Sequence, residues 1–109
     1  MQTIVQVMCT GGKSMRLDIV SDPQLKNHEF EIIREKKLGR SPGWLKVLSY
    51  ADGRRGSLNI QWHGATKILT CRIINRGSGK PNLIIGDFVD YLLTRHHKRI
   101  KLITVVPGH

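Results

Sequence analysis

The sequence predicts an α+β fold: a mostly antiparallel sheet, built from an N-terminal hairpin and a three-strand meander, with one main helix at about 83–98 packed on one face and a C-terminal strand. Three observations predict it. Short runs rich in β-branched residues, several alternating apolar and polar, recur between glycine-bearing turns. Only the stretch at about 83–98 sustains a helical period. A last apolar run, "KLITVV" at 101–106, follows that helix. The 109 residues suit a single domain, 1–109, with one hydrophobic core.

"QTIVQVMC" (2–9) reads as the first strand. In "MRLDIV" (15–20), Met15, Leu17 and Ile19 alternate with Arg16 and Asp18, so the two runs flanking "TGGKS" are expected to form a hairpin. "SDPQLKNH" (21–28) is a loop. "EFEIIREKK" (29–37) carries both strand and helix features and is assigned to strand because Phe30 and Ile32 alternate with charges. "LGRSPG" (38–43) is a connector. "WLKVLSY" (44–50), "SLNIQWH" (57–63) and "KILTCRIIN" (67–75), joined by "ADGRRG" and "GAT", make the meander. In the helix, Ile84, Ile85, Phe88, Val89, Leu92 and His96 share a face, and Asp87, Asp90, Thr94, His97 and Lys98 take the other. Its acids come early and its bases late, which suits the helix dipole.

Charge is the strongest compositional signal. Eighteen Lys and Arg face eight acids, for a formal net charge of +10. The excess lies in the second part: seven bases and five acids in 1–43, eleven and three in 44–109. Such a concentration points to an anionic partner. No run is long and apolar enough for a transmembrane helix, and no signal-peptide pattern opens the chain, so a cytoplasmic protein is expected, without a membrane partner. Cys9 and Cys71 lie in apolar runs without metal-ligand spacing and read as buried thiols, with a disulfide between them left open.

Two stretches resemble phosphate-binding loops. "VQVMCTGGKSM" lacks the first glycine of G-x-x-x-x-G-K-[ST]: Val7 stands there, and the strand expected after Ser14 would leave no helix start to face an anion. In "IINRGSGKPN", Ile74 and Pro81 occupy the positions of the glycine and the hydroxyl. Gly77, Gly79, Arg76 and Lys80 could still form a small anion-binding nest before the helix. Neither stretch is the NTPase motif.

No catalytic triad, metal cluster or cofactor motif is legible. His96 and His97 diverge by 100° on a helix, and His28, His63 and His109 are scattered. "Glu35-Lys36-Lys37" fits half of a nuclease metal site, with Asp18 or Asp22 as the second carboxylate, and makes a metal-dependent nuclease the third functional reading.

The first reading rests on the meander's two faces. Leu45, Val47, Leu58, Ile60, Trp62, Leu69, Cys71 and Ile73 can share the face under the helix. Trp44, Lys46, Tyr50, Asn59, Gln61, His63, Thr70 and Arg72 take the other, with Ile68 and Ile74 needing partial cover from the hairpin or a second subunit. Rings that stack bases and cations that hold phosphates suit single-stranded nucleic acid, DNA or RNA, bound without catalysis. Arg54 and Arg55 in the first turn, Arg76 and Lys80 before the helix, and Arg95, Lys98, Arg99 and Lys101 at its end extend the expected basic surface. The second reading is a protein-interaction module, including a homodimer.

Overall fold

The computed structural model describes residues 2–108. Its six strands form one antiparallel sheet: β1 (Ile4–Cys9), β2 (Phe30–Arg34), β3 (Trp44–Ser49), β4 (Gly56–His63), β5 (Ile68–Asn75) and β6 (Ile100–Val106). They lie in the order β2-β3-β4-β5-β1-β6. The expected meander is present and begins one strand earlier, because 29–37 does contain a strand. The main helix, α2, runs Pro81–His96 and continues as a 3₁₀ turn over His97–Arg99. Pro81 opens it, where a missing N–H costs nothing.

The N-terminal hairpin is not formed. Residues 15–20 are a helix, α1 (Met15–Val20), and β1 pairs instead with β5 on one side and β6 on the other. Two forces favour the helix. Ser14 caps it by accepting a hydrogen bond from the Leu17 amide at 3.3 Å. Met15 and Ile19, four residues apart, both enter the core, while Leu17 turns out to solvent. The alternating pattern fits six residues of strand and a helix turn and a half equally well.

Both helices pack on the same face. Ile84, Phe88, Tyr91 and Leu92 of α2 join Met15 and Ile19 over Val5, Val7, Leu45, Val47, Leu58, Ile60, Leu69, Cys71 and Ile73 of the sheet. Phe30 meets Phe88 edge to face, with ring centroids 5.7 Å apart. The predicted core face of the meander is thus the observed one: Leu45 pairs with Ile60, and Ile60 with Cys71. Tyr91, absent from the face expected for the helix, is wholly buried. Both cysteines are free and buried, and burial pushes both thiols up from their ordinary range. No described helix is long and apolar enough to cross a membrane.

The connection from β5 into α2 is held tightly. The Arg76 amide donates to the Arg55 carbonyl at 2.9 Å, and the Lys80 amide to the Arg54 carbonyl at 2.8 Å. A side chain at Gly79 would collide with Asn75 and with the Arg54 and Arg55 carbonyls, so only glycine lets the two loops meet. Those carbonyls are committed to amides, so the segment is a packed corner.

Candidate nucleic-acid interface

With both helices on one side, the other face of the sheet carries no helix. Strand register arranges its side chains in rows. One row reads Arg34, Lys46, Asn59, Arg72, Ile4, Val106 across all six strands. The next reads Trp44, Gln61, Thr70, Gln6, Thr104. A third reads His63, Ile68, Met8, Leu102. A fourth reads Glu31, Leu48, Ser57, Ile74. The cations gather on the β2–β5 part, in the first row, whereas the β1–β6 part is largely apolar. Ile68 therefore finds its neighbours in Met8 and Leu102, and no hairpin covers it.

Two depressions lie on the basic part. One, of about 360 Å³, is lined by Ile33, Arg34, Lys37, Arg40, Trp44, Lys46, Asn59 and Arg76. The other, of about 190 Å³, is lined by Arg40, Trp44, Asn59, Ile60, Gln61, His63, Thr70 and Arg72. No acid lines either one, although six cations do. None of those six makes an ion pair among the described residues. Lys46 and Arg72 stand two strand spacings apart in one row, about 10 Å.

Trp44 occupies its expected face but is only 2% exposed. The connector before β3 folds over it: the Arg40 guanidinium lies 5.7 Å from the ring centroid, and Gln61 hydrogen-bonds Ser41. Arg16 of α1 braces the same corner, donating to the carbonyls of Trp44 at 2.9 Å and Glu35 at 2.7 Å. Tyr50 is not on this face. It follows the end of β3, and its hydroxyl donates to the Lys26 carbonyl at 2.6 Å, beside a groove of about 520 Å³ lined by Val20, Leu25, Phe30 and Ile32. Alternation stops where the strand stops, so position 50 no longer follows the parity of 44 and 46.

The other expected cations divide in two. Arg54, Arg95 and Arg99 are tied to carboxylates on the helix side. Arg54 grips Asp87 with Nε at 2.9 Å and Nη2 at 3.4 Å, fastening the β3–β4 turn to α2. Arg95 grips Asp22 with 3.3 and 3.2 Å contacts. Arg99 donates to Asp18 at 2.6 Å and to the carbonyls of Thr10 and Lys13 at 2.8 and 2.7 Å. That last clasp settles the glycine-lysine loop. A helix does follow Ser14, yet the loop turns two carbonyls onto an internal arginine. Arg55, Lys80, Lys98 and Lys101 are exposed and away from the two depressions.

Sequence reasoning did not assign Arg34, Lys37 and Arg40 to the surface, though "REKKLGR" announces them. Nor did it find the buried polar cluster at the end of α2. Asp22, its side chain 3% exposed, accepts from the Gln24 amide, the Tyr91 hydroxyl and Arg95. Burial opposes its ionisation, but the Arg95, Gln24 and Tyr91 hydrogen bonds outweigh burial and hold the carboxyl at about 2. Burial raises the Tyr91 hydroxyl and lowers His96. Tyr91 has one hydrogen and gives it to Asp22, so His96 Nε2, 2.9 Å from the hydroxyl oxygen, is the donor there. Both Asp22 oxygens, the Tyr91 hydroxyl and His96 Nε2 thus find partners inside the fold.

The nuclease reading gains no geometry. Asp18 and Asp22 are both engaged by arginines, Glu35 lies exposed beyond the end of β2, and no group of three or more metal-ligating side chains occurs among the described residues. His109 lies outside the described residues. Comparison with known proteins adds no relative: no family model, curated protein or solved structure matches this chain.

Proposed function

We propose that this protein binds single-stranded nucleic acid, without catalysis, on the helix-free face of its sheet. One observation carries the reading. The six cations around the two depressions have no carboxylate partner among the described residues, while Arg54, Arg95 and Arg99 on the helix side each have one. Uncompensated charge on an open sheet face is the arrangement that phosphates exploit, and amide and hydroxyl groups of Asn59, Gln61 and Thr70 lie among the cations. With both thiols free, the reading extends to a reducing compartment such as the cytoplasm. The test is affinity for a short single-stranded oligonucleotide as a function of salt. Log affinity is expected to fall steeply with log salt, since each neutralised phosphate releases counterions. No binding at low salt, or binding indifferent to salt, removes the reading.

The apolar part of the same face favours a second reading, assembly of two copies through β6. This strand is the sheet edge, seven residues long, with Leu102 and Val106 about half exposed on that face, Val105 about half exposed on the other, and Lys101 as its one charge. Sedimentation of the parent and of Leu102→Lys tests it. A dimer that the substitution dissociates supports the reading, and a parent that stays monomeric at high concentration removes it.

A further inference from the structure

The two depressions share three lining residues: Arg40, Trp44 and Asn59. Arg40 is the divider. Its guanidinium lies over the Trp44 ring where the two hollows adjoin, and together they make a trough that borders the indole. Arg40 is poorly fixed for a residue in that position. It is exposed, as is every residue from 33 to 42, and it makes no ion pair among the described residues.

The floor beneath it is chemically unfinished. Trp44 Nε1 and Asn59 Oδ1 are both buried and both lack a hydrogen-bond partner. A buried donor and a buried acceptor left unpaired cost free energy, and native proteins keep few of them without a use. Here the residues that carry an orphan donor and an orphan acceptor line the same hollow, on adjacent strands, under an exposed arginine.

We propose that the trough takes one unstacked nucleobase, which inserts between the Trp44 ring and the Arg40 guanidinium. The inference rests on the nucleic-acid reading above and adds where a base goes. Arg40 swings outward and closes on the second face of the base, so the ring–cation contact of the free protein becomes a ring–base–cation stack. Asn59 and Gln61 offer amides to the base edge. Lys46 and Arg72, in the row beside Trp44, take the flanking phosphates. Stacking tolerates any base, so selectivity is for an unpaired strand and not for a sequence.

The test uses a Trp62→Phe variant, in which Trp44 is the one remaining tryptophan. Its emission is followed while two probes of equal length are added, about twelve units each. One is an oligothymidylate, and the other is the same deoxyribose-phosphate chain without bases. The expected result is quenching of Trp44 by oligothymidylate only, with affinity roughly tenfold or more above that of the abasic chain. Equal affinity for the two chains, with no change in Trp44 emission, overturns the base pocket and leaves the phosphate-binding face standing. Failure of both chains to bind at low salt overturns the nucleic-acid reading together with the pocket. Tight binding of a poly-glutamate peptide with the affinity of oligothymidylate overturns both in favour of an acidic protein partner.

Discussion

Arginines serve opposite ends on the two faces of this sheet. On the helix side, Arg95 and Arg99 are held by Asp22 and Asp18, each pairing elements far apart in the chain, and Arg54 is held by Asp87. On the bare side, Arg34, Arg40, Arg72 and Arg76 surround two hollows with no acid among the lining residues. The residue type is the same and so is the charge. The difference is compensation: a guanidinium whose donors are spent on a carboxylate of the fold supports the fold, and one whose donors face solvent is available to a ligand. Substitutions on the helix side should therefore move stability and leave binding alone, and those on the bare side should do the reverse.

The largest effect is expected at Asp22. Replacing it with asparagine removes the charge that Arg95 grips and weakens the acceptor of the buried Tyr91 hydroxyl. A loss of about 2–3 kcal/mol is expected, read as a lower urea midpoint at unchanged slope. The folded fraction should bind oligonucleotide like the parent. A variant as stable as the parent would mean that the clasp is only a surface contact.

Acid should dissect the same cluster. The Asp22 carboxyl, held at about 2 in the fold against its ordinary 3.8, contributes stability that is complete above about pH 4 and lost as pH falls toward 2. The contribution is about 2 kcal/mol. His96 acts in the same direction at higher pH. Its folded value lies below 6.5, so the unfolded chain binds the proton more readily, and stability declines as pH drops below that point. Urea titrations at stepped pH should show both phases in the parent and no Asp22 phase in Asp22→Asn.

Arg99→Lys should cost less, about 1–2 kcal/mol, because one ammonium cannot reach Asp18 and the Thr10 and Lys13 carbonyls together. Hydrogen exchange should show the 10–14 loop opening first. Unchanged protection of that loop would sink the clamp assignment.

The sequence carried the sheet and α2 well because both rest on local periodicity, and the meander's core face followed from alternation alone. It failed where the deciding partner is distant. Six residues at 15–20 satisfy both a two-residue and a helical period. What excludes a hairpin is that β5 and β6 occupy both edges of β1, a fact spread over the whole chain. The same holds for charge. Arg95 and Asp22 are 73 positions apart, and Arg99 and Asp18 are 81. Nothing near an arginine in sequence says whether it will be spent inside, so Arg54, Arg95 and Arg99 looked as available as Arg72. Tyr50 was misplaced by one residue of strand, since β3 ends at Ser49.

The smallest effects on the fold, and the sharpest on the comparison, are expected on the bare face. Arg72 is exposed and Lys46 half-buried, and neither makes a salt bridge among the described residues, so alanine at either should change stability by no more than about 0.5 kcal/mol. If each neutralises one phosphate, each substitution should lower the slope of log affinity against log salt by about one unit. Tyr50→Phe is the control. It removes the hydroxyl bonded to Lys26, on the other side of β3's end, and should leave both affinity and slope unchanged. Affinity measured at two salt concentrations separates the cases. Should folded Lys46→Ala and Arg72→Ala both keep the parental slope, the open face is not where phosphate binds. The exposed cations that follow α2, Lys98 in the 3₁₀ turn and Lys101 in β6, would then be the next positions to change.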